Sequence, residues 1–517
     1  MTCRKNSILS FLFVLLLSIQ VNSQSSITLP RSVPEAEGVS SKGINDFLDA
    51  IAKSNHEFHS FMFLRHGKVI AEGWWNPYRP DLLHTMYSCS KSFTSTAIGF
   101  AVSEKKITVN DKVISFFSDQ LPDTVSAFLS ALTIKDLLSM SVGQQPDPTF
   151  SVASANDNWV KGFLALKIDN QPGSKFLYNS LATYMLSAIV QKVSGQKVID
   201  YLTPRLFQPL GISGIDWETD PMGVNSGGWG LRLKTEDMAR FGQLYLQKGN
   251  WNGKQVLPAA WIEEATSFKI DQAPGVEQSK KDSSDWMQGY CYQFWRSRHN
   301  SYRGDGAFGQ YILVFPEQDA VIAITSETAN MQTELNLVWE YLLPAMKNEK
   351  LAVNKPASAS LKKRLSMLAL PVPVKSDSAF AVPSIAGKTY TIEPNDKHIE
   401  KVSFSEKNKT YTLLLKADTA SYTLNFGPGK WVYGETSKPG PSLVGLLRNH
   451  FAGLPPSKIA GSYSWRNNNT LDLILRYIDS PHTETMTYHF ENSTITVDYR
   501  NSYEPQAKKD VLKGKAE

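Results

Sequence analysis

The chain has 517 residues, 42% hydrophobic and 20% charged, and a formal net charge of +5. That length exceeds a single domain core, and the composition is that of an ordinary globular protein. The small positive excess, with no basic stripe interleaved with aromatics, argues against nucleic acid as a partner.

At the N-terminus Arg4 and Lys5 precede an apolar run from Ile8 to Ile19, and small residues follow at Val21-Asn22-Ser23. This is the pattern of a secretory signal peptide over residues 1–23, which implies a secreted or periplasmic protein. A dozen apolar residues is short for a membrane span, and no later segment is apolar enough to cross a bilayer. Cys3 precedes the run and is not placed for lipid attachment. Beyond the leader only Cys89 and Cys291 remain, without a C-x-x-C or H-E-x-x-H pattern, so neither a metal nor a cofactor is implied.

Ser60–Arg65 and Lys68–Trp75 alternate around His66-Gly67 and predict a β-hairpin. His84 follows, read as structural. Tyr87–Val102 then combines small and apolar residues without proline and predicts a buried helix, with Phe93, Ala97, Phe100 and Ala101 at helical spacing. Near its start stand Ser88 and Lys91, an S-x-x-K pair on one side of the helix. A serine hydroxyl needs a neighbouring base to become a nucleophile, and a lysine whose charge is destabilised by burial supplies one. The same spacing recurs at Ser103/Lys106, Ser194/Lys197 and Ser360/Lys363, but only Ser88/Lys91 opens an otherwise apolar helix.

Leu132–Gly143 predicts a further helix ending at a glycine. A Pro172-Gly173 turn leads to Tyr178-Asn179-Ser180 and an amphipathic helix closed by Gly195. Gly227–Phe241 reads as a Gly-rich turn and a helix capped by Thr235, with Glu236 and Asp237 in its first turn; its glycines fit no nucleotide-binding frame. Gly289–Arg298 is strand-like, Tyr311–Phe315 and Ala320–Thr325 form a second hairpin, and Asn330–Met346 is helical. Strands from distant parts of the chain with helices between them predict an α+β (α/β-layered) domain over residues 24–346. Residues 347–384 read as a linker carrying one short helix. Residues 385–517 carry nine short predicted strands, from Thr389–Ile392 to Thr494–Tyr499, and predict an all-β barrel or sandwich without a catalytic constellation.

At Ser88/Lys91, Tyr178 and Gly304–Gln310 the chain resembles the serine β-lactamase superfamily. Within it the chain is similar to class C β-lactamases, their esterase relatives and the 6-aminohexanoate-dimer hydrolases, over roughly residues 30–346. The resemblance implies a β-lactamase/transpeptidase-like fold with an antiparallel sheet and no metal. It also implies Ser88 as acylated nucleophile, with Lys91 and Tyr178 as the proton-transfer pair. The backbone N–H groups of Ser88 and Phe308 (or Ala307) would form the oxyanion hole, and Ser180, Asp305, Gly306 and Ala307 would line the substrate site. Two departures stand out. Tyr178 is followed by Asn179-Ser180 where the family has Tyr-x-Asn, and Asp305 stands where a lysine or histidine is usual. An aspartate there disfavours substrates bearing a carboxylate. The resulting expectation is hydrolysis of a small neutral or cationic ester or amide. The alternatives are a β-lactamase or D-amino-acid peptidase, and a catalytically silent binding protein.

Overall fold

The computed structural model describes residues 28–373, 381–449, 451–505 and 509–517, so the leader read at residues 1–23 lies outside it. The alternation around His66-Gly67 yields the hairpin of β1 (Glu57–Arg65) and β2 (Lys68–Trp74). Both turn residues take positive φ, 50° and 72°, and a two-residue loop of this kind matches the twist of its flanking strands. Four later strands complete an antiparallel sheet: β3 (Trp295–Ser297), β4 (Ser301–Gly306), β5 (Gln310–Phe315) and β6 (Ala320–Glu327). Their order is β2-β1-β6-β5-β4-β3.

The sheet is buried on both faces, which is why β5 and β6 read as continuous apolar runs. On one face Phe61, Phe63, Tyr311, Leu313, Ile322 and Ile324 pack with Ile44, Phe47 and Leu48 of α1 (Ser41–Lys53). On the other, Met62, Leu64, Ile312 and Val314 lie in one core with Phe93, Ala97, Ile98 and Ala101 of α2 (Ser90–Ser103). α2 is buried from Ser90 to Ala101. The same core takes in α3 (Ser180–Ser194), whose N-cap Asn179 accepts the Ala182 N–H, and α4 (Thr235–Leu246).

Several predicted elements are revised. The helix expected over Leu132–Gly143 is only Ile134–Leu138, because Met140 takes φ 56° and turns the chain. Thr235 opens α4 without capping it; its hydroxyl bonds Ser60 Oγ at 2.6 Å instead. In Gly289–Arg298 only Trp295–Ser297 joins the sheet, since Gln293 bends the chain at φ 64°. The helix expected over Asn330–Met346 is an α-helix at Met331–Leu337 continued by a π-helix at Val338–Leu342. The helix in the 347–384 stretch, Lys355–Leu365, lies on α1: Asn45 Nδ2 donates to the Ala357 carbonyl at 3.0 Å, and Arg364 pairs with Asp49 at 2.7 Å.

The C-terminal region is a closed barrel. Its strands are β7 (Thr389–Ile392), β8 (Ile399–Lys407), β9 (Thr410–Ala417), β10 (Ala420–Pro428), β11 (Val432–Thr436), β12 (Ser457–Trp465), β13 (Thr470–Tyr477), β14 (Thr483–Glu491), β15 (Thr494–Asn501) and β16 (Asp510–Ala516). They run β10-β9-β8-β7-β16-β15-β14-β13-β12-β11, and a parallel contact of β10 with β12 closes the ring. Closure pairs every strand from β7 to β10 and from β12 to β16 on both sides, with β11 attached outside to β12, and Phe404, Leu413, Leu424, Leu473, Tyr488 and Val497 fill the interior. β16 was not among the expected strands. Its residues are mostly charged or small, with Val511 and Leu512 as its apolar members.

The barrel is fastened to the layered domain by buried charge. Arg232 donates to Asp216 at 2.6 Å and to the barrel's Asp479 at 2.8 Å, and Arg476 of β13 holds Glu57 of β1 through two bonds of 2.5 and 2.9 Å. Among the described residues no helix is long and apolar enough to cross a membrane.

At the ring closure a Cβ on Gly461 would lie 2.1 Å from the Asn425 carbonyl oxygen, a backbone atom that cannot swing aside. Gly461→Ala should therefore destabilise the protein by about 1–3 kcal/mol, the usual cost of overpacking. Urea unfolding would show this as a lowered midpoint; an unchanged midpoint would mean that β10 and β12 do not meet this closely.

Candidate active site

Ser88 sits in the 3-10 turn Tyr87–Cys89 that feeds α2. Tyr87 takes φ 44°, a left-handed conformation rare for a bulky residue. Ser88 remains partly exposed, whereas Tyr87, Cys89, Ser90 and Lys91 are buried. Lying in the first turn, the Ser88 N–H has no carbonyl within the helix to receive it.

Lys91 is 1% exposed. Its Nζ lies 3.1 Å from Ser88 Oγ, 2.9 Å from Ser180 Oγ and 2.7 Å from the Gly228 carbonyl. Burial pushes the amine down to about 7, while the more distant carboxylates of Asp147 and Asp305 act the other way. Gly228 approaches too closely to carry a side chain: a Cβ there would stand 2.8 Å from the Ser180 carbonyl and 3.4 Å from Nζ.

Tyr178 closes the group. Its ring lies 4.9 Å from Lys91 Nζ and stacks on Trp295 at 5.5 Å. Burial raises its phenol well above the ordinary range, and its nearness to Ser88 works in the opposite direction. The segment is held from behind: Leu177 N–H donates to the Met140 carbonyl at 2.8 Å, and Asn179 Nδ2 donates to Gln144 Oε1 at 2.8 Å. The truncated helix at Met140 is thus what places the tyrosine.

The fourth wall is the turn from β4 to β5. Phe308 takes φ 65°. Gln310 Nε2 donates to the Ala307 carbonyl at 3.1 Å, and the Phe308 carbonyl accepts from Ser326 Oγ at 2.8 Å and from the Thr328 N–H at 3.0 Å. In a planar trans peptide the N–H points opposite to the carbonyl. Anchoring the Ala307 oxygen on buried Gln310 therefore turns the Phe308 N–H to the other side. The N–H groups of Ser88, Ala307 and Phe308 meet no acceptor among the described residues.

Three of the expected substrate contacts have partners within the protein. Ser180 is a hydrogen-bond partner of Lys91. Gly306 makes room for the backbone, since a Cβ there would lie 2.2 Å from the Met86 carbonyl. Asp305 is 8% exposed and accepts from Arg303 Nε at 2.7 Å, so it is not the bare charge that a lone aspartate suggested. Burial raises its carboxyl and Arg303 draws it back. Ala307 stays partly exposed beside Phe308. His84 is bonded to His59 at 3.0 Å and to the Thr85 carbonyl. Cys89 and Cys291 are free and buried, and Cys89 Sγ contacts the Gln310 carbonyl at 3.1 Å. No cluster of three or more His, Cys, Asp or Glu side chains among the described residues is arranged to hold a metal.

Residues 59–345 match the family model named Beta-lactamase. The chain belongs to the beta-lactamase family. Among its curated relatives is the 6-aminohexanoate-dimer hydrolase of Paenarthrobacter ureafaciens, 24% identical over 299 residues, which span 53% of this chain and 74% of the relative. Another, from Escherichia coli O157:H7, is named "Putative D-alanyl-D-alanine carboxypeptidase"; it is 25% identical and covers 39% of this chain, which spans 54% of that relative. Of solved structures, a Bacillus anthracis protein named "Putative 6-aminohexanoate-dimer hydrolase" superposes with a TM-score of 0.51 at 22% identity, covering 63% of this chain and 89% of its own, a likeness of fold. This beta-lactamase-family chain is a serine hydrolase of that superfamily, with a closed barrel appended.

The Gly228 carbonyl, Gln310, Ser326 and the Gln144–Asn179 pair were not read as site residues. Gly227-Gly228 carried the one visible signal, a close backbone approach. Buried Lys91 also links stability to pH. Its amine lies near 7 when folded and near ~10.4 when unfolded. Between those values the unfolded chain binds the extra proton, so stability rises with pH there, and the full penalty of the buried charge is present below about 7. Lys91→Met should thus raise the free energy of unfolding by a few kcal/mol at low pH, on the order of the shift, with the gain shrinking toward high pH. Guanidinium unfolding on either side of that window checks it; a gain that grows with pH would contradict it.

Proposed function

We propose that this protein hydrolyses an ester or amide bond through an acyl-enzyme on Ser88. The observation that carries the reading is the set of three partners around Lys91 Nζ. The Gly228 carbonyl only accepts, and Ser180 Oγ accepts from Nζ, so a neutral amine spends both its N–H bonds on them. Its lone pair is left facing Ser88 Oγ. The amine takes the Ser88 proton as Oγ attacks the acyl carbon. The carbonyl oxygen becomes an oxyanion between the Ser88 and Phe308 N–H groups, which meet charge that exists only in the transition state. The Tyr178 phenol, held neutral by burial, donates its proton to the leaving oxygen or nitrogen. In deacylation the Tyr178 phenolate takes a proton from the attacking water, the Lys91 ammonium returns its proton to the departing Ser88 Oγ, and the acid is released.

The names of the relatives, a 6-aminohexanoate-dimer hydrolase among them, support an amide or ester of modest size as substrate. The Arg303–Asp305 pair supports uncharged substrates over carboxylates, because the cation at this position is already bonded. The basic and apolar N-terminal pattern supports action outside the cytoplasm.

Treatment with a fluorophosphonate should give one adduct by intact-mass spectrometry, on the peptide containing Ser88. Lys91→Ala should slow labelling by a hundredfold or more, the usual scale of a lost general base. In the native protein the labelling rate should fall as pH drops below about 7, where the amine gains its proton. An adduct on Ser103, Ser194 or Ser360, or a labelling rate that rises on acidification, would overturn the assignment.

A further inference from the structure

The two N–H groups read as the oxyanion hole each belong to a strained surrounding. Tyr87, which precedes Ser88, has φ 44°, and Phe308 has φ 65°. Non-glycine residues hold such conformations only where their surroundings over-determine them. The rings of Tyr87 and Phe308 meet edge to face at 5.5 Å, and a third ring from the barrel binds both. His482, in the turn between β13 and β14, is 0% exposed. Its Nε2 lies 2.6 Å from the Tyr87 hydroxyl, its Nδ1 lies 2.7 Å from Glu327 Oε1, and its ring stands perpendicular to Phe308 at 4.7 Å.

The bonds have a consistent direction. In the tautomer whose Nδ1–H faces the Glu327 carboxylate, Nε2 accepts from the Tyr87 O–H, and the Tyr87 oxygen accepts from the Leu443 N–H at 3.4 Å. Nδ1–H donates to Glu327, which also accepts from Ser502 Oγ at 2.7 Å. Glu327 follows Ser326, whose hydroxyl reaches the Phe308 carbonyl. Leu443, His482 and Ser502 all belong to the barrel region, whereas Tyr87, Phe308 and Glu327 belong to the layered domain.

We propose that His482 is a positioning residue for the oxyanion hole: from the barrel it clamps Tyr87 and Phe308 together and so sets the aim of the Ser88 and Phe308 N–H groups. The inference rests on the acyl-enzyme reading above. It makes the barrel a working part of the active site, acting through Tyr87 without touching substrate.

The test uses the full chain and p-nitrophenyl butyrate. His482→Phe keeps a ring against Phe308 and removes both hydrogen bonds. It should lower kcat at least tenfold, a fraction of what losing a whole oxyanion donor costs, with KM within threefold of native. Phenylboronic acid, which forms a tetrahedral adduct on an active serine, should bind at least tenfold more weakly. His482→Gln, whose carboxamide oxygen still accepts from Tyr87, should recover most of the loss. Tyr87→Phe should also lower kcat at least tenfold, and the double variant should be no worse than the poorer single one, because the Tyr87–His482 bond is lost in both. A folded His482→Phe with native kcat, or fully additive losses, overturns the proposal. If His482→Phe does not fold, Tyr87→Phe decides alone: native kcat overturns the clamp, and a tenfold loss at unchanged melting temperature supports it. A native protein that never acylates at Ser88 fails the parent reading and this one together. Acylation with both variants unaffected overturns only this one.

Discussion

A lysine amine enclosed beside a serine is the constraint from which the rest of the site follows. An isolated ammonium is expensive to bury, so the amine reaches neutrality near pH 7 only if every surrounding element is in place. α2 must be covered along its length, which the sheet achieves on one side and α3 on another. A carbonyl must approach without a side chain in the way, and Gly228 permits that. A hydroxyl must stand where the family's usual pattern has a different residue, and Ser180 fills the place. Loosening any of these lets water return and restores the charge, which in the acyl-enzyme reading is the loss of the base.

The acyl-enzyme reading adds a second requirement, a rigid frame for developing negative charge. Backbone N–H groups are useful there only if they are aimed before the reaction begins. In this molecule the aim is distributed. Gln310 and Ser326 fix the peptide on one side, and the 3-10 turn fixes the other. The ion pairs Arg232–Asp479 and Arg476–Glu57 cross between domains close to these elements. Such pairs are weak contributors to net stability but costly to break singly, and that asymmetry favours one orientation of the barrel over all others.

Much of this was legible in the sequence, and the reasons for the gaps are physical. The first hairpin was visible because β1 and β2 alternate around a turn that only a left-handed pair can make. Ser88, Lys91 and Tyr178 were visible because each sits beside a strong punctuation mark: an apolar helix start or a Pro-Gly turn. The Leu132–Gly143 helix was overread because apolar spacing does not reveal that Met140 adopts positive φ to meet Leu177. Strand alternation puts Arg303 and Asp305 on one face, but that this face is buried, so that the two close into an ion pair, was not legible in the sequence. β16 was missed because a strand held by neighbours on both sides needs little β propensity of its own. His482 gave no signal at all: its partners lie 395 and 155 positions away in the chain.

The closure of the barrel carries a consequence for the order of events during synthesis. β7 pairs with β16, so the ring's first strand waits for its last. Bringing together segments so far apart is entropically slow, and the ribosome releases the layered domain long before β16 emerges. The turn that carries His482 is tied to the layered domain through Asp479 and Arg232, but the ring behind it stays open until β16 arrives. A nascent chain can therefore bring Ser88 and Lys91 together early yet lack the brace on the turn before Ser88 that the proposal assigns to His482. On the reading proposed for His482, full hydrolysis is tied to a closed ring, and a product cut before β16 would be a blunted enzyme.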